Sequence, residues 1–205
     1  AELDFLDING VGSSINMKSP FVIISIHPVT TTQENSDVES VLKVCKNKDL
    51  QAIVLWPNAD SGGLFIAKQI RRLREKEKSM EGVRFFKNLP VELYLKLMSR
   101  TKCLIGNSSS GIREGAFLGT PVINMGTRQS DRDRGKNVKD LEVFESGKFK
   151  KLLTEQVLAG KYEQDYLYGK GNSGTRIAEI LSTNRPTVQK RFHDPFDQTW
   201  IIILL

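Results

Sequence analysis

Short apolar runs rich in β-branched residues recur along the chain, each followed by a polar turn and a stretch with helical spacing. "FVIISIH" (21–27) precedes "SDVESVLKVCKNKD". "AIVLWPN" (52–58) precedes "GGLFIAKQIRRLREKEK". "VRFFKN" (83–88) precedes "PVELYLKLMSRT", where Pro90 suits a first helical turn. "KCLIG" (102–106) leads into "SSGIREGAFLG", and "PVINMG" (121–126) into a long basic loop. "KNVKDL" (136–141) reads as a sixth short strand, followed by a helix near 146–159, a Gly-rich turn and a last helix near 174–182.

Continuous rather than alternating apolar strands are buried on both faces, which points to a mostly parallel sheet with helices on each side. The crossovers are expected to be right-handed. The pattern therefore predicts a doubly wound α/β fold. The expected organisation is an N-terminal extension or interdomain segment over 1–20, a doubly wound α/β domain over 21–192, and a tail of uncertain role over 193–205. The tail, "HDPFDQTWIIILL", fits no element.

Composition narrows the class. The chain has 205 residues, with 39% hydrophobic and 26% charged residues, as in ordinary globular proteins. No apolar run reaches the roughly 18 residues of a membrane span. "AELDFLDING" is acidic and is read as neither a signal peptide nor a transit peptide. Cys45 and Cys103 lie far apart without metal-type spacing, so a reduced, cytoplasmic chain is expected. The net charge is +6, but basic residues are interleaved with acids, as in "RRLREKEKSMEG", which reads as a solvated helix face. Aromatics are not interleaved with basics as in a stacking platform for bases. Neither nucleic acid nor a membrane is expected as a partner, and self-association stays open.

In open α/β sheets, ligands sit beyond the carboxyl ends of the strands. Those ends carry His27, Asn58, the cluster 107–110 and the loop 126–135. In "GNSSSGIRE", Gly106 allows a tight turn and Ser108 or Ser109 can cap the next helix. Outward N–H groups there would favour an anion, though capping alone also explains a serine. No lysine follows at P-loop spacing. Glu114, one turn into that helix, can accept two hydrogen bonds from a ribose diol or simply support the helix dipole. Arg113 faces another way and suits a surface ion pair. Arg128 offers a fork for phosphate. Arg132 and Arg134 share their loop with Asp131 and Asp133 and read as partly neutralised and solvated. His27 is one of two histidines. It can satisfy a local hydrogen bond, act in proton transfer or bind phosphate. His193, in the tail, reads as structural. Asn58 and the glycine turn "YGKGNSGTRI" (168–177) suit either turn chemistry or the same ligand edge.

"HPVTT" (27–31), "LWPNADSG" (55–62), "IGNSSSGIREGAFLGTPVINMGTRQ" (105–129) and "YGKGN" (168–172), in this order, resemble the UDP-N-acetylglucosamine 2-epimerase family. The resemblance spans roughly 20–192. Pro28 and Val29 stand where the non-hydrolysing branch has two arginines, so the chain looks like the hydrolysing branch, which makes N-acetylmannosamine and UDP for sialic acid synthesis. The resemblance implies the C-terminal Rossmann-like domain of a two-domain GT-B enzyme, with UDP-N-acetylglucosamine or UDP as ligand. It implies no cofactor and no metal, and a facing N-terminal domain as partner, without which this half is expected to be inactive. His27 would lie at the sugar–diphosphate junction as a catalytic or diphosphate-binding histidine. Ser108 and Ser109 would hold the diphosphate, Glu114 the ribose, and Asn58 and Arg128 would line the nucleotide pocket. A GT-B glycosyltransferase domain and a non-catalytic UDP-binding module are the alternatives.

Overall fold

Each apolar run forms a strand because stiff β-branched and aromatic side chains pack well on a pleated surface. The strands are β1 (Val11–Gly12), β2 (Phe21–Ser25), β3 (Gln51–Leu55), β4 (Val83–Phe86), β5 (Cys103–Gly106), β6 (Val122–Met125) and β7 (Val138–Leu141). The helices are α1 (Val38–Lys46), α2 (Gly63–Lys76), α3 (Val91–Arg100), α4 (Ser109–Leu118), α5 (Ser146–Ala159) and α6 (Ser173–Thr183). The computed structural model describes residues 9–29, 38–58, 62–76 and 81–184. The tail 193–205 with His193, residues 30–31 of the first quoted motif and residues 59–61 of the second lie outside the described residues.

Among the described residues the sheet has seven strands in the order β1-β4-β3-β2-β5-β6-β7. All neighbours are parallel except β1, which runs antiparallel to β4. The order reverses between β2 and β5, which makes their carboxyl ends a topological switch point.

Alternation along each strand sends neighbouring side chains to opposite faces. Val22, Ile24, Val54 and Ile105 enter one core, covered by Val41 and Leu42 of α1, Ile70 of α2 and Phe149 and Leu153 of α5. Phe21, Ile23, Ile53 and Leu104 enter the other, covered by Leu93, Leu97 and Met98 of α3 and Ile112 of α4. All five residues of β2 are buried, as the uninterrupted apolar run requires.

Cys45 and Cys103 are both buried free thiols. Burial pushes the Cys45 thiol up to about 12 and the Cys103 thiol higher still, so both remain protonated and inert.

The sequence reading placed no element before Phe21. A two-residue strand has no periodicity to detect, and what fastens it is a buried side chain from elsewhere. The Arg84 guanidinium donates to the carbonyls of Gly12 and Gly10, each at 3.1 Å. Pro90 stands just before α3 as its N-cap residue, rather than in the first turn. The compact unit that carries the sheet ends at Tyr168. Beyond it, α6 buries none of its own side chains. No helix among the described residues is long and apolar enough to cross a membrane.

Register decides where the site edge falls. Ser25 pairs with Gly106, Gly106 with Asn124, and Asn124 with Asp140, so four strands end level. Gly106 has φ +140°, and a Cβ there would lie 2.0 Å from the Ser25 carbonyl oxygen. That neighbour is backbone in the middle of the sheet and cannot move aside. Gly106→Ala is expected to cost about 2–4 kcal/mol, from strain plus displaced sheet. Gly147→Ala, in α5 with only ordinary contacts around its Cβ, is expected to be neutral or stabilising by up to about 1 kcal/mol. Urea unfolding midpoints check both; a Gly106→Ala midpoint equal to wild type would contradict the close-approach account.

Candidate functional site

The edge of β5 is organised by Asn107, which is fully buried. Its Oδ1 accepts the His27 backbone N–H at 2.7 Å, and its Nδ2 donates to the His27 carbonyl at 2.8 Å. Its own N–H donates to the Ser25 carbonyl at 3.2 Å. The Asn107 carbonyl accepts from Gln129 Nε2 at 2.8 Å and from Arg128 Nη1 at 3.3 Å. One residue thus joins the ends of β2 and β5 to the loop after β6. Leaving either His27 backbone group unpaired in this setting costs about 1–3 kcal/mol.

The His27 ring is held on both sides. The Asn58 backbone N–H donates to Nδ1 at 3.2 Å, and Nε2 lies 3.2 Å from Ser25 Oγ. Because Nδ1 accepts, Nε2 carries the proton and is the donating side of the ring.

Ser108 caps α4: it has extended backbone, and its Oγ accepts from the Ser110 N–H at 3.4 Å. Ser110 Oγ lies 2.9 Å from Ser108 Oγ and 2.7 Å from the Tyr94 hydroxyl. Glu114 follows Ser110 by one helical turn on the same face. Burial raises the Tyr94 pKa, the Ser110 hydrogen bond partly offsets this, and the Glu114 carboxylate adds to the rise.

These groups surround a cavity of about 240 Å³. His27, Asn58, Lys87, Tyr94, Ser108 and Ser110 are among its walls. A second cavity of about 350 Å³ shares Trp56, Lys87 and Asn88 with it. Closed small-molecule sites run to about 300–1,000 Å³, so the first cavity is sized for part of a ligand.

Of the residues singled out in the sequence, the cavity brings together His27, Asn58 and Ser108, whereas Ser109, Glu114 and Arg128 are not on its wall. Ser109 is the first residue of α4, and Arg128 lies behind the edge against Asn107. Arg113 is exposed. Arg134 is neutralised by Asp140 of β7, at 2.8 Å, rather than by its loop neighbours. It also donates to the Gln129 carbonyl at 2.9 Å, which ties the loop carrying Arg128 to the last strand. Lys87 and Asn88 were missed, although they are polar residues at a strand end like the others. Tyr94 gave no signal beyond a helical apolar position. Among the described residues, no three His, Cys, Asp or Glu side chains converge as a metal site.

A doubly wound sheet with a polar crevice at its switch point defines a Rossmann-like domain. A family model described as UDP-N-acetylglucosamine 2-epimerase matches residues 6–182. The chain belongs to that family. It is 33% identical over 160 residues to GDP/UDP-N,N'-diacetylbacillosamine 2-epimerase (hydrolyzing) of Campylobacter jejuni, covering 75% of this chain and 41% of that one. It is 30% identical over 181 residues to UDP-N-acetylglucosamine 2-epimerase of Neisseria meningitidis, covering 84% and 46%. The chain thus spans under half the length of these relatives and corresponds to their C-terminal part. The fold also matches the crystal structure of the Neisseria meningitidis enzyme bound to UDP-GlcNAc, with TM-score 0.62 and 17% identity over 83% of this chain and 46% of that one.

The ring geometry generates a direct test. Long-range ¹⁵N–¹H correlation spectra of the His27 ring are expected to show the proton on Nε2 and a bare Nδ1. A ring protonated on Nδ1 would contradict the Asn58 contact.

Proposed function

We propose that this chain supplies the UDP-holding half of a hydrolysing UDP-N-acetylglucosamine 2-epimerase of the two-domain GT-B type. The observation that carries the reading is the convergence, at the switch point, of the capped α4 N-terminus with the protonated side of His27. A helix N-terminus favours an anion through its unpaired N–H groups and dipole. Family membership supports the substrate class. The hydrolysing branch is supported by relatives named as hydrolyzing 2-epimerases in Campylobacter jejuni and Legionella pneumophila. Their names also extend the class of sugar to other UDP-linked 2-acetamido sugars.

In this reading, Ser108 and Ser109 with the α4 N-terminus hold the diphosphate. Glu114 takes the ribose hydroxyls, and Asn58 and Arg128 border the nucleotide. The reaction begins when a base on the facing domain removes the proton from C2. The C2–H electrons form the C1–C2 double bond, and the C1–O bond breaks with its pair leaving on UDP. Charge then develops on the departing diphosphate, where donors fixed in advance are worth most. His27 Nε2–H, switching from Ser25 to a phosphoryl oxygen, is suited to donate there. Water next adds to the 2-acetamidoglucal, hydroxyl to C1 and proton to C2 with inverted configuration, giving N-acetylmannosamine.

Titration calorimetry tests the binding half of the reading on the 205-residue chain. UDP is expected to bind more tightly than UMP, and UMP more tightly than uridine. Equal affinity for uridine and UDP would contradict the diphosphate assignment.

A further inference from the structure

We propose that Tyr94 is a positioning residue whose phenol sets the direction of a hydroxyl chain, Tyr94 to Ser110 to Ser108, so that the Ser108 hydroxyl donates into the cavity. The proposal rests on the UDP reading of the same site.

A chain in which Ser110 both donates and accepts has two directions, whereas Ser110 accepting from both neighbours would leave its own proton without a partner among the described residues. Oxygen separations of 2.7 Å and 2.9 Å place Ser110 Oγ between the other two hydroxyls. In one direction the phenol donates to Ser110, Ser110 donates to Ser108, and the Ser108 proton turns outward. In the other, Ser108 donates inward and its lone pairs face the cavity. The phenol then only accepts, and its own proton has no partner among the described residues. Among the described residues the phenol's hydrogen-bond partner is Ser110, and the Tyr94 ring, carried by α3, packs against the core on that face of the sheet. A part-buried O–H that gives up its protein acceptor forgoes about 0.5–1.5 kcal/mol, so the first direction is favoured. Burial and the Glu114 carboxylate both hold the phenol in its protonated form, which keeps it a donor. Ser108 Oγ already accepts the Ser110 N–H, and that bond is preserved in the favoured direction.

The consequence is selectivity for an anion. All three residues line the same cavity. With the chain set by Tyr94, the α4 N-terminus presents a hydroxyl donor beside its backbone N–H groups. With the direction lost, Ser108 presents lone pairs to a phosphate for part of the time.

The test is a double-mutant cycle on the full chain with UDP as probe and uridine as control. Tyr94→Phe keeps the ring and deletes only the hydroxyl. It is expected to weaken UDP about 5–10-fold and to leave uridine, measured by chemical-shift titration, unchanged. In a Ser110→Ala background, Tyr94→Phe is expected to weaken UDP no further. The urea midpoints of all four proteins are recorded alongside. Wild-type UDP affinity in Tyr94→Phe overturns the proposal, as does an equal loss for uridine. An undiminished effect in the Ser110→Ala background also overturns it, because the phenol would then touch the ligand directly. If the wild-type chain binds no UDP, the diphosphate reading itself falls and takes this proposal with it. That outcome is distinct from a wild type that binds and a Tyr94→Phe protein that binds equally well.

Discussion

The clasp between the Asn107 side chain and the His27 backbone is the interaction on which the site depends. Two parallel strands end side by side at the point where the sheet order reverses, and their next residues must leave the ladder. Backbone groups there still need partners. The Asn107 amide supplies one donor and one acceptor, at 2.8 Å and 2.7 Å, in the manner of one more rung. It therefore carries β2 two residues past its last strand residue without a third backbone. That extension brings the His27 ring within reach of Ser25 on one side and Asn58 on the other. On the Asn107 side, Ser108 follows at once and caps α4. Gly106 permits the arrangement, because any Cβ would occupy the place of the Ser25 carbonyl.

Much of this was legible in the sequence. The apolar runs at 21–27, 52–58, 102–106 and 121–126 mark β2, β3, β5 and β6, because a strand buried on both faces has no polar position to interrupt it. The short strand and the last two helices fall where the pattern puts them, at Val138–Leu141, Ser146–Ala159 and Ser173–Thr183. What escaped has no local pattern. β1 is held by Arg84 from 72 residues away, and the clasp joins positions 80 apart. "GNSSSG" reads as a helix cap, and its first polar residue turns out to serve the neighbouring strand. The Arg134–Asp140 pair shows the same limit: charge patterning favours the adjacent aspartates, whereas strand register brings Asp140 closer.

The site residues border a cavity at the sheet edge. A cavity of about 240 Å³, donors concentrated at an anion-favouring helix start and family membership are what the proposed leaving-group half-site rests on. The chain covers 41% and 46% of two relatives, in keeping with the proposal that it is one half of a two-domain enzyme. On this account, chemistry at the sugar belongs to the whole protein, while affinity for the nucleotide belongs to the wall held together by Asn107.

The most direct measurement combines amide hydrogen exchange with UDP titration in Asn107→Ala. Exchange of the His27 amide is expected to accelerate by about 10–100-fold, in line with the loss of a hydrogen bond and the fraying of the strand end. Core amides such as that of Ile23 should keep their protection, and UDP affinity should fall with the loss of His27 order. An Asn107→Ala protein with wild-type protection at His27 and wild-type UDP affinity would contradict the account.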